Sequence, residues 1–240
     1  MKVICTYKHI NFYFSKTKSP AGYTCKVQEI KEIDKDEIEL IGKHDELSMT
    51  NRDVIGVIID RQPELKKFPR GFAKVFPNIR YMQINRCSIT TLTCEDFKDL
   101  GHLQGLWMSE NSIEQLPNNL FVNVQGIQYL SFYRNKLKYI GEHLLTPLKN
   151  LKAANFEGNT CINVSYKDEN INELQKLKDE IKAKCVYSTE NYSSNSNLLN
   201  RVTTMEQEIK RLQNDNREKD ARIKQLENDI IKIKMAFNLN

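Results

Sequence analysis

The amino-acid sequence predicts a solenoid of short repeats, closed by a disulfide-linked cap at each end and followed by an α-helical coiled coil. Three observations support this prediction. One apolar pattern recurs in phase between Ile79 and Cys161, pairs of cysteines flank the recurring segment, and a second apolar pattern with helical spacing fills residues 198–237. An ordinary α/β domain also has short buried strands, but it does not produce a fixed period.

The recurring pattern is that of the leucine-rich repeat, L-x-x-L-x-L-x-x-N/C-x-L, with each copy starting 24 residues after the last. The copies start at Ile79, Leu103, Ile127 and Leu151. Alternate residues of a short strand face the core, and the inward Asn bonds backbone groups that the following turn leaves unpaired. A degenerate earlier copy begins with a strand expected over 54–59, with Asp60 in place of an apolar residue. The fold class predicted is therefore an α/β-type leucine-rich-repeat solenoid of about four to five repeats with a short parallel sheet.

The pattern divides the chain into five segments. They are an N-terminal cap over 1–54, repeats over 55–160, a C-terminal cap over 161–187, a linker over 188–197 and a coiled coil over 198–240. The N-terminal cap is expected to be a hairpin over Val3–Val27 that turns at Ser19–Gly22. The C-terminal cap is expected to hold a helix over Asp168–Lys184, and the linker, rich in Ser and Asn, is expected to be flexible.

Four cysteines flank the repeats. They are Cys5 and Cys25 before them and Cys161 and Cys185 after them. The ends of a solenoid expose core that caps must cover, and cysteines bracketing such caps predict the disulfides Cys5–Cys25 and Cys161–Cys185. Zinc is the alternative, but the spacings lack the C-x₂₋₄-C form and no His lies in register, so no metal site is predicted. Cys87 is expected to be a buried core residue and Cys94 a free thiol.

Disulfides place the protein in an oxidising compartment, and we interpret the chain as secreted. The sequons at Asn163 and Asn191 agree with that interpretation as glycosylation sites. The first residues are not a signal peptide, since only three apolar residues follow Lys2 before Thr6, so the sequence is expected to be a mature or truncated form. The alternative is a cytosolic protein with reduced thiols. No apolar run of about 18 residues is present, so no membrane span is expected.

Charge and motifs favour binding over catalysis. The net charge is +5; nine Lys/Arg and eight Asp/Glu from Ser188 onward give +1, which leaves +4 for residues 1–187. Neither part has the clustered basic charge that nucleic-acid binding requires. The four histidines share no spacing with Ser, Cys or carboxylates that would form a triad, and phosphate-loop, G-x-S-x-G and H-E-x-x-H motifs are missing. We therefore expect no enzymatic activity and no cofactor.

The C-terminal segment has heptad spacing. The apolar positions proposed for dimerisation, together with one polar member, are Val202, Met205, Ile209, Leu212, Asn216, Ile223, Leu226, Ile230 and Ile233. β-Branched residues at one heptad position and mostly Leu at the other favour a parallel two-stranded coiled coil, and a single Asn fixes register. Whether the pair is a homodimer or a heterodimer stays open. The alternative is a single amphipathic helix folded back on the solenoid.

The inner, concave face of the solenoid is the predicted binding surface, because residues between the core positions of each strand point there. The candidates are Tyr81, Gln83, Arg86, Trp107, Glu110, Tyr129, Tyr133 and Arg134. Tyr, Trp and Arg are enriched at interface hot spots, so a protein ligand is expected. Trp107 in particular is expected to be exposed and to serve as a binding anchor without contributing to stability. The alternative is that these aromatic rings pack on each other.

A resemblance follows from the whole arrangement. The 24-residue repeats, the paired cap cysteines, the Gly158–Cys161 segment and the coiled coil resemble secreted insect leucine-rich-repeat proteins. Among these are dipteran immune proteins that pair through their coiled coils and hold complement-like factors. The resemblance implies a non-enzymatic role in innate-immune recognition or as a carrier of complement-like factors. A structural adaptor of the matrix or cell surface, and a cytosolic leucine-rich scaffold, are the alternatives.

Overall fold

The computed structural model describes residues 1–14, 17–31, 38–167, 171–186 and 192–236. The chain forms two compact units, Met1–Val186 and Tyr187–Asn240. In chain order the strands are β1 (Lys2–Phe14), β2 (Thr17–Lys31), β3 (Glu39–Ile41), β4 (Gly56–Asp60), β5 (Tyr81–Asn85), β6 (Gly105–Trp107), β7 (Gln115–Leu116), β8 (Tyr129–Ser131), β9 (Tyr139–Ile140), β10 (Ala153–Asn155) and β11 (Ser165–Tyr166). The helices are α1 (Phe72–Val75), α2 (Ile171–Lys184) and α3 (Tyr192–Ala236), with a 3₁₀ turn at Cys94–Phe97.

The solenoid predicted from the 24-residue period is confirmed. Within the described residues the main sheet has nine strands in the order β11-β10-β8-β6-β5-β4-β2-β1-β3. One strand per repeat, β4, β5, β6, β8 and β10, pairs in parallel with the next. β7 and β9 form a second, parallel pair on the opposite, convex side of the repeats. The sheet thus presents one face to the core and the other to the concave side of the solenoid.

An asparagine ladder runs through the turns after the strands, as the repeat pattern predicts. Nδ2 of Asn135 donates to the carbonyl oxygen of Met108 at 2.8 Å, and its Oδ1 accepts the N–H of Ile113 at 3.1 Å. Asn111 and Asn159 make the equivalent bonds one repeat before and one repeat after. Each amide therefore satisfies backbone groups of two adjacent coils, which is the role that fixes Asn at this position.

The N-terminal cap is a hairpin of β1 and β2, closed by the predicted Cys5–Cys25 disulfide with a Cα–Cα distance of 5.4 Å. The turn expected at Ser19–Gly22 is wrong, because those residues lie within β2, whose first residue, Thr17, pairs with Phe14. β2 can carry Pro20 within the strand because β4 pairs with it only along Thr24–Lys26, which leaves the distal edge open. The hairpin is consequently longer than the sequence indicated.

The C-terminal cap closes the other end of the solenoid. Leu177 and Ile181 of α2 are buried against the last repeat, and the predicted Cys161–Cys185 disulfide has a Cα–Cα distance of 5.2 Å. In the chain-entropy account, a disulfide that closes a loop of this length stabilises the folded protein by roughly 3 kcal/mol, because it restricts the unfolded chain. The cap helix expected over Asp168–Lys184 is described from Ile171 onward.

The second unit is the helix α3. It begins at Tyr192, so the second half of the linker expected over 188–197 is helical; residues 187–191 lie outside the described residues. The physical reason is that residues 192–197 contain neither Gly nor Pro, and a helix propagates readily from an established segment. At 1.5 Å per residue the helix is about 70 Å long. Across the described ranges, no helix has the length and hydropathy of a membrane span.

Candidate functional site on the concave face

The strands place the candidate residues in rows that run across the concave face. The first row, set by the strand register, consists of Gly56, Tyr81, Gly105, Tyr129 and Ala153. The second row consists of Ile58, Gln83, Trp107, Ser131 and Asn155. Small and large residues alternate along the first row, which leaves gaps between the tyrosines that other rings can fill.

The aromatic candidates are buried, so the expectation that Trp107 is exposed is wrong. Tyr81, Trp107 and Tyr129 have exposed fractions of 2%, 6% and 9%. The cause is Phe12 of the hairpin, whose ring stacks on Tyr81 at a centroid distance of 5.0 Å and on Trp107 at 5.8 Å. A Cβ on Gly56 would lie 2.3 Å from Cζ of Phe12, so the glycine makes room for this ring. The rings form a second core cluster on the concave side.

The accessible candidates lie beside this cluster, at and beyond the ends of the strands. Arg86, Glu110 and Arg134 are exposed, while Gln83 and Tyr133 are half-buried. The guanidinium carbon of Arg134 lies 5.0 Å from the ring centre of Tyr133, in the geometry of a cation–π contact. The structure therefore separates the eight predicted residues into three that are buried and five that a partner can reach.

Four charged residues just beyond the strand ends, which we call the rim of the concave face, share an unusual backbone conformation. Among the described residues, Arg61, Arg86, Glu110 and Arg134 have φ of 55°, 52°, 55° and 51°, and Gly158 occupies the same place in the last copy with φ of 73°. Each charged residue donates its N–H to the carbonyl of the neighbouring strand segment, for example Arg86 to Ser109 and Arg134 to Glu157. The left-handed conformation costs a non-glycine residue roughly 1–2 kcal/mol. The ladder of hydrogen bonds holds it in place in every repeat.

A cleft of about 510 Å³ opens beside the hairpin at the N-terminal end of the concave face. Its lining residues are Lys8, His9, Ile10, Asn11, Lys26, Ile58, Asp60 and Gln83. Asp60 accepts two hydrogen bonds from Arg86, from Nε at 2.7 Å and from Nη2 at 2.8 Å. This bidentate contact raises the pKa of the Arg86 guanidinium, with the hydrogen bond as the main cause. Arg86 is therefore fixed in orientation at the edge of the cleft.

Sequence reasoning missed the lysines of this cleft and the strained position of Arg61. The strained residues stand one place before the ladder position in each copy, 24 or 25 residues apart, so their alignment was visible. The conformation itself was not visible, because Arg and Glu are not residues that favour it. The lysines could not be placed because the period does not extend into the hairpin.

The two remaining cysteines are free, as expected. Cys87 takes the ladder position of the first copy, where its Sγ donates to the carbonyl oxygen of Asn85 at 3.3 Å. Burial raises the pKa of its thiol, so the thiol is protonated at neutral pH. Cys94 is half-buried in the following turn. Cys87, with the negative charge of Asp60 nearby, lacks the electropositive setting that activates a nucleophilic thiol.

The predicted sites outside the concave face are placed as follows. Asn163 is exposed between β10 and β11, and its Oδ1 accepts the N–H of Gly158 at 2.7 Å. Asn191 lies outside the described residues, as do the side chains of Val202 and Met205. The apolar heptad side chains that are described have exposed fractions of 49–56%: Ile209, Leu212, Ile223, Leu226, Ile230 and Ile233. Asn216 is exposed as well.

The parallel strands, the asparagine ladder and the two caps define the first unit as a leucine-rich-repeat solenoid. No family model matches the chain. Trophoblast glycoprotein of Macaca fascicularis is 28% identical over 65 residues, which are 27% of this chain and 16% of that protein. The Mus musculus protein of the same name is 26% identical over 65 residues, which are 27% of this chain and 15% of that protein.

The chain is also similar, over part of its length, to a solved structure. The Toll–Spatzle complex, described as a molecular hub in Drosophila development and innate immunity, matches with a TM-score of 0.41 and 20% identity. The match covers 51% of this chain and 17% of that chain. The chain thus spans less than a fifth of the length of each of these similar proteins.

Proposed function

We propose that the chain is an extracellular, non-catalytic protein-binding protein that takes its partner on the accessible part of the concave face. The observation that carries this proposal is that Gln83, Arg86, Glu110, Tyr133 and Arg134 are accessible at and just beyond the ends of successive parallel strands. Arg and Tyr side chains presented along one edge of a sheet are of the types enriched at interface hot spots. Solenoids offer such extended concave surfaces to protein partners.

Backbone strain along the rim supports this proposal. Gly would adopt the left-handed conformation without steric cost, and the last copy does use Gly158. The other copies instead carry long charged side chains at the same place. Strained positions persist where the side chain has a use that outweighs the cost in stability. Binding a partner is such a use.

An extracellular location is supported by the two disulfides, since bridges of this kind persist in oxidising compartments. The exposed sequon at Asn163 is consistent with a glycan attached there. Within this frame the architecture favours innate-immune recognition, or carriage of a complement-like factor, over a matrix adaptor. That preference rests on the resemblance between the repeats, caps and helical tail and those of insect immune proteins.

Pairing through α3 completes the proposal. The described apolar heptad residues of α3 are all about half exposed. A second helix that covers them would stabilise α3. The pairing would place two concave faces in one molecule, and two linked sites bind a multivalent partner more tightly than one.

A comparison of two tyrosines in one repeat tests the binding face. Tyr133 lies on the concave side and Tyr139 in β9 on the convex side, and both are half-buried. Wild-type protein and each Tyr→Ala variant are immobilised and exposed to extracellular fluid of the source organism, and captured proteins are identified and remeasured in purified form. We expect Tyr133→Ala to weaken binding of the captured partner at least tenfold and Tyr139→Ala to leave it unchanged. Equal loss in both variants, or loss only with Tyr139→Ala, would contradict the proposal.

A further inference from the structure

We propose that the cleft at the N-terminal end of the concave face binds a carboxylate-rich segment of a protein partner. This inference rests on the proposed function and adds the chemistry of the partner. The cleft has a volume of about 510 Å³, with the apolar Ile58 and Ile10 and the amide of Gln83 in its lining. It is large enough for several side chains of an extended peptide.

The lysines of the cleft are the first argument. Lys8 pairs with Thr24 and Lys26 with Thr6, so both lysines leave the hairpin on its concave face. Lys26 lies next to Ile58 in the sheet register, and both residues line the cleft. Neither lysine has an ion pair with any acidic side chain in the described part of the chain. Two ammonium groups directed at one cleft without counter-charges favour an anionic ligand.

The local charge balance is the second argument. Asp60 is the acidic residue in the lining, and both of its oxygens already accept hydrogen bonds from Arg86. Nη1 of Arg61 lies 3.7 Å from the same carboxylate, and the Arg61 side chain is 73% exposed. Four cations (Lys8, Lys26, Arg61 and Arg86) against two carboxylates (Asp60 and Glu110, whose charge also acts on Arg86) give the cleft and its rim a charge of +2. This charge is concentrated at one end of a unit whose total is only +4.

Backbone conformation is the third argument. Arg61 and Arg86 both hold the left-handed conformation, with φ of 55° and 52°. Two hydrogen bonds hold the guanidinium of Arg86 at Asp60, and Nη1 of Arg61 lies 3.7 Å from the same carboxylate, so both guanidinium groups lie beside this lining residue of the cleft. Because Arg86 already binds Asp60 in a bidentate manner, the exposed guanidinium of Arg61 is the one left to meet a carboxylate of the partner.

A protein carboxylate fits these features better than an extended polyanion does. Nucleic acids and sulfated sugars bind along stripes of basic residues, whereas here the cations converge on one cleft with apolar side chains in its lining. Acidic and aliphatic side chains of one peptide would meet the cations and the isoleucines together. The partner segment is therefore expected to combine Glu or Asp with apolar residues.

The test uses the full chain and a fluorescein-labelled octapeptide of alternating Glu and Val, measured by fluorescence anisotropy at low salt. A peptide of alternating Lys and Val, a heparin octasaccharide and a short DNA duplex are measured in parallel. We expect binding of the acidic peptide, weakened about threefold or more by Lys26→Gln and by Arg61→Gly. Lys149→Gln, which removes an exposed lysine elsewhere on the solenoid, should leave the affinity unchanged.

Glycine adopts the left-handed conformation of Arg61 without steric cost, so the melting temperature of Arg61→Gly should not fall. Measuring it checks that this variant is folded. The inference is overturned if the acidic peptide binds no better than the basic one, or if Lys26→Gln and Arg61→Gly leave its affinity unchanged. Tighter binding of heparin or DNA, lost with the same two variants, would also overturn it in favour of a general polyanion site. If Tyr133→Ala weakens partner binding while Lys26→Gln does not, the proposed function stands and this inference fails.

Discussion

The indole ring of Trp107 lies directly over Gly105. A Cβ built on Gly105 would be 2.5 Å from Cη2 and 2.6 Å from Cζ3 of that ring, distances that no side-chain carbon tolerates. Gly105 and Trp107 are the first and last residues of β6, so the ring folds back along its own strand. The absence of a side chain at Gly105 is what allows the indole to be buried.

Gly105→Ala should therefore destabilise the protein. The added methyl group forces the indole away from its position in the aromatic cluster, which costs about 1–3 kcal/mol as overpacking does elsewhere. Gly101→Ala is the matched control, since a Cβ there meets nothing within 4 Å. Urea unfolding measures both free energies. An equal effect of the two substitutions would show that the ring does not occupy this place.

Trp107→Ala should lower the free energy of unfolding by about 3–5 kcal/mol, because it leaves a cavity in a packed aromatic cluster. This reverses the expectation from the sequence, in which Trp107 served binding alone. As Trp107 is the sole tryptophan, its fluorescence reports the site directly. We expect blue-shifted emission and poor quenching by acrylamide in the folded protein. Emission like that of free indole in water would contradict the buried position.

The repeats could be predicted from the sequence because their period is a direct consequence of the coil they form. Asn135 occupies the Asn position of the repeat because its amide bonds backbone groups of two adjacent coils. The structure confirms these hydrogen bonds. The burial of Trp107 could not be predicted in the same way. It depends on Phe12, which lies 95 residues earlier, outside the period and within an irregularity in hairpin pairing between Asn11 and Tyr13.

A signal for the aromatic cluster was nevertheless present. Gly56, Gly105 and Ala153 alternate with Tyr81 and Tyr129 at equivalent places in consecutive repeats. Such alternation of small and large residues indicates that rings interlock on that face. The pattern does not reveal which element supplies the additional ring, and this is why the sequence favoured an open aromatic groove.

Replacing a strained rim residue with glycine should stabilise the fold. Arg134→Gly removes the steric cost of the left-handed conformation, partly offset by the entropy of glycine in the unfolded chain, for a net gain of about 1 kcal/mol or less. Arg80→Gly is the control, since Arg80 is exposed and is not among the left-handed residues, and it should destabilise by about 0.5–1 kcal/mol. Thermal unfolding of both variants measures the difference. A loss of stability in Arg134→Gly as large as in Arg80→Gly would show that the side chain is structural.

The helical tail should make the full chain a dimer at tens of micromolar. In a parallel pair Asn216 faces its counterpart, so Asn216→Ile should raise the stability of the dimer while allowing other oligomers to form. Leu226→Asp should instead yield a monomer, because it places a charge in the apolar seam. Sedimentation velocity distinguishes these states. Wild-type protein that sediments as a monomer would refute homodimerisation and leave pairing with a different chain.

Photo-cross-linking tests most directly whether the partner binds the concave face. Tyr133 or Tyr139 is replaced with p-benzoylphenylalanine, which preserves an aromatic ring at a half-buried position on either side of one repeat. Irradiation with the purified partner is followed by mass spectrometry of the adducts. We predict adducts from position 133 and none from position 139. Adducts from position 139 alone would place the partner on the convex side and contradict this account.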